Sequence, residues 1–171
     1  MDNVVDRYPV EVLKGDASDD WAEDNGTMPE NVDALREAVI GRKIVSAQKK
    51  IVPGGWRGTE EALVLELDNG TQVQLVDSSD CCAYTSLESF LLDPRSVDYA
   101  ILGVGTTESY TKWHIYADFG DVMQMEVGWS AGNPFYYGYG FDIAVKPIVI
   151  DAEVVANDQA ELGSGQCAIE G

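Results

Sequence analysis

Hydrophobic positions along this chain change their spacing from helical to strand-like, and those changes predict most of its elements. Val32, Leu35 and Val39, with Ala38, recur at helical spacing after Thr27, for which Glu30 is the capping-box partner. Pro29 suits a first turn and Gly41 is a natural stop, so a helix is predicted over about 28–40. Arg42 to Val52 is strand-like, and Pro53 to Gly58 makes a loop. Around Asp68-Asn69-Gly70 a hairpin has two registers. A two-residue Asn-Gly turn sets Leu63, Leu65 and Leu67 opposite Val76, Gln74 and Gln72, mixing leucine with glutamine. A three-residue loop with Gly70 left-handed sets them opposite Leu75, Val73 and Thr71 and sorts apolar from polar faces, so this register is predicted.

The same turn logic fits Thr111 to Ala117 and Asp121 to Trp129 around Asp118-Phe119-Gly120. It places Ile115 opposite Met123, Trp113 opposite Met125, and Lys112 opposite Glu126 as an ion pair. His114 falls on the Lys112 and Gln124 face, where a surface strand histidine is expected. Between the hairpins, Ser86 can cap a short helix through Leu87, Phe90, Leu91 and Leu92 that Asp93-Pro94 ends. Tyr99 to Gly105 and Phe141 to Val145 read as strands, the latter prolonged by Pro147 to Ile150, and Tyr8 to Leu13 could add a short edge strand. The expected fold is α+β: a single twisted, mainly antiparallel sheet with one N-terminal helix and one short helix packed against it.

Composition changes this picture mainly at the ends. The chain has 171 residues and a net charge of -19. Residues 1–30 and 151–171 carry about -12 of it, leaving a moderately acidic centre. We therefore expect an acidic, mostly disordered tail over 1–27, one domain over 28–150, and a flexible acidic tail over 151–171. Such a charge opposes direct binding to nucleic acid phosphates or anionic lipid. MDNVVDRYPV has no basic stretch leading into an apolar one, and no apolar run approaches a membrane span, so a cytoplasmic protein is expected. Three cysteines, two adjacent, cannot build a disulfide framework and read as reduced thiols.

Candidate chemistry centres on Asp80-Cys81-Cys82-Ala83-Tyr84, expected where a strand hands over to a helix at a sheet edge. With His114 it contains zinc-type ligands, but adjacent cysteines on an extended chain face opposite sides, whereas structural zinc sites space them by two to four residues. One cysteine is then expected as a small buried hydrophobe and the other near the surface. A thiol nucleophile with His114 as base is the alternative enzyme, although nothing in the sequence brings that histidine to the pair. Asp118-Phe119-Gly120 matches a kinase tripeptide but lacks every accompanying motif and reads as a turn. The best recognition surface is Gly128 to Tyr139, where Trp129, Asn133, Tyr136 and Tyr137 sit on a glycine-rich loop with large contact area and low side-chain entropy. If that loop lies beside the cysteine turn, the two make one composite site.

Gly41 to Val45, Asp68-Asn69-Gly70-Thr71, Asp80-Cys81-Cys82-Ala83-Tyr84, Trp113-His114-Ile115-Tyr116, and Gly128-Trp129 followed by Asn133 to Tyr137 resemble, in that order, a family of uncharacterised small proteins. Its members occur in bacteria and tailed phages and carry an Asp-Cys-Cys motif with a later Asn/Gly-Tyr-Tyr loop. The resemblance spans roughly residues 40–146 and implies a phage or prophage accessory protein. Where relatives carry His or Glu around the pair, this chain has Asp77, Ser78 and Ala83, which weakens a catalytic or metal role.

The expected function is a non-enzymatic binding module without a cofactor or metal, engaging a protein or small ligand through Asp80, Cys81, Cys82, Tyr84, Trp129, Asn133, Tyr136 and Tyr137. The alternatives are a thiol or metal-dependent enzyme using Cys81, Cys82 and His114, and an acidic decoy mimicking nucleic acid.

Overall fold

The computed structural model describes residues 27–55, 58–132 and 139–149. Helix α1 spans Met28–Val39, and Met28, Val32, Leu35 and Val39 form its buried stripe, as their spacing requires. It differs at its start. Thr27 makes no side-chain cap; its hydroxyl instead donates to the carbonyl of Tyr139 at 2.7 Å, tying the helix to a distant segment. Gly41, at φ 72°, follows the helix end, and its N–H donates to the carbonyl of Ile101 at 2.8 Å.

Among the described residues nine strands follow, in two antiparallel sheets. The first sheet has β1 (Ile44–Pro53), β2 (Thr59–Leu67), β3 (Thr71–Val76) and β9 (Asp142–Pro147) in the order β1-β2-β3-β9. Its central hairpin has the three-residue-loop register, with Leu63 opposite Leu75, Leu65 opposite Val73, and Gly70 at φ 77°. The second sheet has β4 (Ser78–Asp80), β5 (Ala83–Leu92), β6 (Gly103–Thr107), β7 (Lys112–Ala117) and β8 (Gly120–Ser130) in the order β4-β5-β8-β7-β6. The chain crosses between sheets at Asp77, whose carboxylate accepts the N–H of Leu87 at 2.9 Å.

Two expectations are corrected. The single sheet is two sheets, and α1 is the one helix among the described residues. The short helix expected after Ser86 is strand β5. A bulge between Leu87 and Ser89 inserts Glu88, so the core-facing series runs Ala83, Thr85, Leu87 and then Phe90 and Leu92. That one extra residue turns a spacing of two into three and imitates a helical pattern. The expected strand Tyr99 to Gly105 begins only at Gly103, and the suggested strand Tyr8 to Leu13 lies outside the described residues.

Side chains from α1 and both sheets meet in one core, including Leu35, Leu65, Leu75, Trp113, Ile115, Met123 and Met125, all at most 1% exposed. Trp113 packs edge-on to Phe141 at 5.5 Å. Asn31 fastens this region by exchanging two hydrogen bonds with the backbone of Phe141, 2.8 Å to its carbonyl and 2.9 Å from its N–H.

Candidate functional site

The cysteine pair caps a hairpin. Asp80 pairs with Ala83, so Cys81 and Cys82 are the two turn residues between β4 and β5, with Cys81 left-handed at φ 51°. Both thiols are exposed, and neither is the buried hydrophobe expected for one of them. Asp80 is exposed as well, and Tyr84 is 43% exposed.

The aromatic loop meets this hairpin at both of its described flanks. A Cβ added to Gly132 would lie 2.7 Å from the backbone nitrogen of Ala83 and 3.0 Å from the sulfur of Cys82, so the bare glycine backbone rests against the turn. On the return, the N–H of Gly140 donates to the hydroxyl of Thr85 at 2.7 Å, and the hydroxyl of Ser78 donates to the Gly140 carbonyl. Asn133, Tyr136 and Tyr137 lie outside the described residues. Trp129 is half-buried. Its ring stacks on Tyr139 with centroids 5.8 Å apart, lies edge-on to Tyr110 at 6.0 Å, and donates from Nε1 to the carbonyl of Ser109 at 2.8 Å.

A third segment joins this end of the second sheet, and sequence reasoning missed it. Glu108, Ser109 and Tyr110, between β6 and β7, are all left-handed, at φ 53°, 52° and 63°. Each such non-glycine residue costs on the order of 1–2 kcal/mol. Side-chain donors hold the three successive carbonyls: Thr111 Oγ1 to Glu108 at 2.6 Å, Trp129 Nε1 to Ser109 and Trp113 Nε1 to Tyr110, both at 2.8 Å. No glycine or asparagine marks the turn, so its composition carried no signal.

His114 is not with the cysteines. It pairs with Gln124 on β8, whereas Tyr84 beside the thiols pairs with Ser130. Six residues along β8 separate the two places by about 20 Å. The proposed thiol and imidazole pair is therefore not assembled. Nor is His114 a surface residue, being 8% exposed. Its Nδ1 lies 2.9 Å from Oδ2 of Asp121 and its Nε2 lies 2.9 Å from the hydroxyl of Thr107. A carboxylate only accepts, so Nδ1 carries a proton in this contact, while the Thr107 hydroxyl, which can donate or accept, completes the bonding at Nε2. This chain of bonds ties β6 to β8 across β7. Lys112 keeps its register opposite Glu126, but its ammonium bonds Glu108 at 2.8 Å and Glu126 accepts from Ser89 at 3.0 Å.

A groove of about 420 Å³ lies at the opposite end of the second sheet, between Leu91, Pro94 and Arg95 on one side and Asp121 and Gln124 on the other. Arg95 is already committed to Asp93, at 3.0 Å to each carboxylate oxygen. Among the described residues no group of three or more His, Cys, Asp or Glu side chains is placed to hold a metal ion, and no helix is long and apolar enough to cross a membrane.

The model of a family described as a domain of unknown function (DUF7448) matches residues 37–143, which covers β1 to β8, the first two residues of β9, both flanks of the aromatic loop and the cysteine hairpin. No curated protein and no solved structure matches the chain.

Proposed function

The chain belongs to the DUF7448 family, a domain of unknown function, and from that premise we propose that it is a non-enzymatic binding module. Its contact surface is the end of the second sheet where the Cys81-Cys82 hairpin, Tyr84 and the described flanks of the aromatic loop, Gly132 and Gly140, come together, with Trp129, Asn133, Tyr136 and Tyr137 as the contacting residues. Following the resemblance in its motifs, it serves a phage or prophage as an accessory protein and acts in the host cytoplasm on a protein or small ligand.

One observation carries this reading: of the flanks of the aromatic loop, Gly132 lies against the cysteine hairpin and Gly140 is hydrogen-bonded to it. The chain therefore reaches Gly132 and resumes at Tyr139 beside two exposed thiols and a partly exposed tyrosine. Aromatic side chains held on short backbone spans bind with little loss of side-chain entropy. The left-handed turn at Glu108 to Tyr110 braces Trp129 beneath this surface, so the strain stored there supports the site.

The test is capture from a bacterial host lysate by the full chain, by Tyr84→Ala, by Tyr136→Ala/Tyr137→Ala, and by Val145→Lys as a remote surface control. A protein retained by the wild type and the control and lost from both tyrosine variants supports the reading. Equal retention by the wild type and all three variants overturns it.

A further inference from the structure

We infer that Cys81 and Cys82 form a chelating site for a thiophilic ion of low coordination number, of the Cu(I) or trivalent arsenic type. The inference deepens the binding reading at its thiol edge and rests on that hairpin tip being an accessible surface. Adjacent cysteines on an extended strand point to opposite faces and cannot share an ion. These two are turn residues between the paired Asp80 and Ala83, with Cys81 left-handed, so strand alternation does not separate them. Successive Cα atoms are about 3.8 Å apart. Two thiolates each about 2.3 Å from one ion lie within about 4.6 Å of each other, which the tip can supply. Both thiols are exposed, so an ion enters without opening the fold.

A second, independent observation is the wall behind the pair. The bare backbone of Gly132 sits where any side chain would come within 3.0 Å of the Cys82 sulfur, and it limits where that sulfur can go. The ligand count then selects the ion. Zinc fills a tetrahedron of four ligands, and among the described residues no third His, Cys, Asp or Glu joins the two thiols in a metal-holding group. Two thiolates alone satisfy linear Cu(I), or arsenic(III) that keeps one substituent of its own, and soft sulfur prefers both. With a monosubstituted arsenic(III) oxide, two As–S bonds form and the two thiol protons leave with the oxide oxygen as water. With Cu(I), two Cu–S bonds form, two protons pass to solvent and copper stays monovalent. No electron is transferred in either case.

The test uses the reduced full chain titrated with phenylarsine oxide and, separately, with Cu(I) against a chromogenic Cu(I) chelator. The expected result is one equivalent bound, loss of two of the three thiols to Ellman's reagent, and a mass gain of one phenylarsenic group less two hydrogens. Either Cys81→Ser or Cys82→Ser weakens binding by roughly a hundredfold or more, because the second bond is no longer intramolecular, while Cys167→Ser leaves it unchanged. Urea midpoints confirm that the serine variants fold. Binding of one probe and not the other identifies which ion type the site takes. No stoichiometric uptake of either probe, or uptake that survives both single substitutions, overturns the inference. Zinc retained at one equivalent through dialysis also overturns it, since that requires ligands beyond the pair. Failure here with tyrosine-dependent capture intact leaves the binding reading standing, and the converse leaves the ion site standing.

Discussion

His114 Nδ1 meets Asp121 Oδ2 at 2.9 Å because one extra residue sits in β8. Ile115 pairs with Met123 but Tyr116 pairs with Asp121, so Val122 is an inserted bulge residue. Val122 and Met123 are both fully buried, and the bulge turns Asp121 from the core side, where strict alternation would put it, to the face of His114. Asp121→Ala should destabilise the fold by about 1–3 kcal/mol, since it leaves the Nδ1–H of a buried imidazole without its acceptor. Deleting Val122 should do more, because it removes buried apolar surface and also returns Asp121 toward the core. Urea unfolding of the two variants measures both effects. A deletion no more harmful than the alanine substitution would contradict this role for the bulge.

The same device explains how far the sequence could be read. Both hairpin registers were legible, since pairing leucine with valine and tryptophan with methionine leaves one clean face in each. The turn at Asp118-Phe119 is in fact two residues, with Ala117 paired to Gly120; the inserted Val122 restores the offset of a three-residue loop, so the register came out right through a different turn. The Glu88 bulge had the opposite effect and made β5 look helical. Bulges leave no composition signal when the inserted residue is an ordinary Glu or Val. The meeting of the cysteine hairpin with Gly132 and Gly140 leaves no local signal, because it follows from the pairing of β5 with β8, strands far apart in the sequence. The buried state of His114 was invisible for a related reason: Thr107 and Asp121 reach it from two different strands.

Gly132 should not tolerate a side chain. Its φ is 59°, and the nearest atoms to an added Cβ are the backbone nitrogen of Ala83 and the carbonyl carbon of Cys82, at 2.7 and 2.9 Å, which cannot rotate away. Gly132→Ala is expected to cost about 1–3 kcal/mol and to lift the loop from the hairpin. The separation would raise the rate of Cys82 alkylation relative to Cys81. Unchanged stability together with an unchanged ratio of the two alkylation rates would mean that this approach does not hold the loop.

Glu66 and Asp77 should act on stability in opposite directions as pH changes. The Lys50 ammonium, 2.7 Å away, and then the Ser46 hydroxyl at 2.8 Å hold the Glu66 carboxyl below its ordinary 4.5. Its contribution is complete above pH 4.5 and is lost as pH falls through the lower folded value. Asp77 is exposed as a residue, but its carboxylate turns inward to Leu87; burial raises it above 3.8, outweighing the Leu87 N–H. Between 3.8 and that raised value the folded chain binds more protons than the unfolded one, so this contribution declines as pH rises. Urea midpoints measured from about pH 3 to 7 should show a shallower acid-side loss in Glu66→Gln. Asp77→Asn, which keeps an acceptor for Leu87, should be at least as stable as wild type at neutral pH. Loss of stability in Asp77→Asn at neutral pH would show that the ionised carboxylate is favoured after all.

Trp129 supports the proposed surface through its indole N–H as well as its ring. Trp129→Phe keeps an aromatic ring against Tyr139 and Tyr110 but removes the donor to Ser109, the middle carbonyl of three left-handed residues. The loss should be about 1 kcal/mol for the hydrogen bond, with a further term if the strained turn relaxes. Amide hydrogen exchange separates the two. Faster exchange confined to residues 108–111, with Thr111 losing its 3.1 Å bond to the Glu108 carbonyl, marks relaxation of the turn. Adding Ser109→Gly to Trp129→Phe should then recover part of the loss, because glycine adopts the left-handed conformation without a Cβ penalty. If the double variant is no more stable than Trp129→Phe alone, Trp129 contributes by packing and the turn does not depend on its indole N–H.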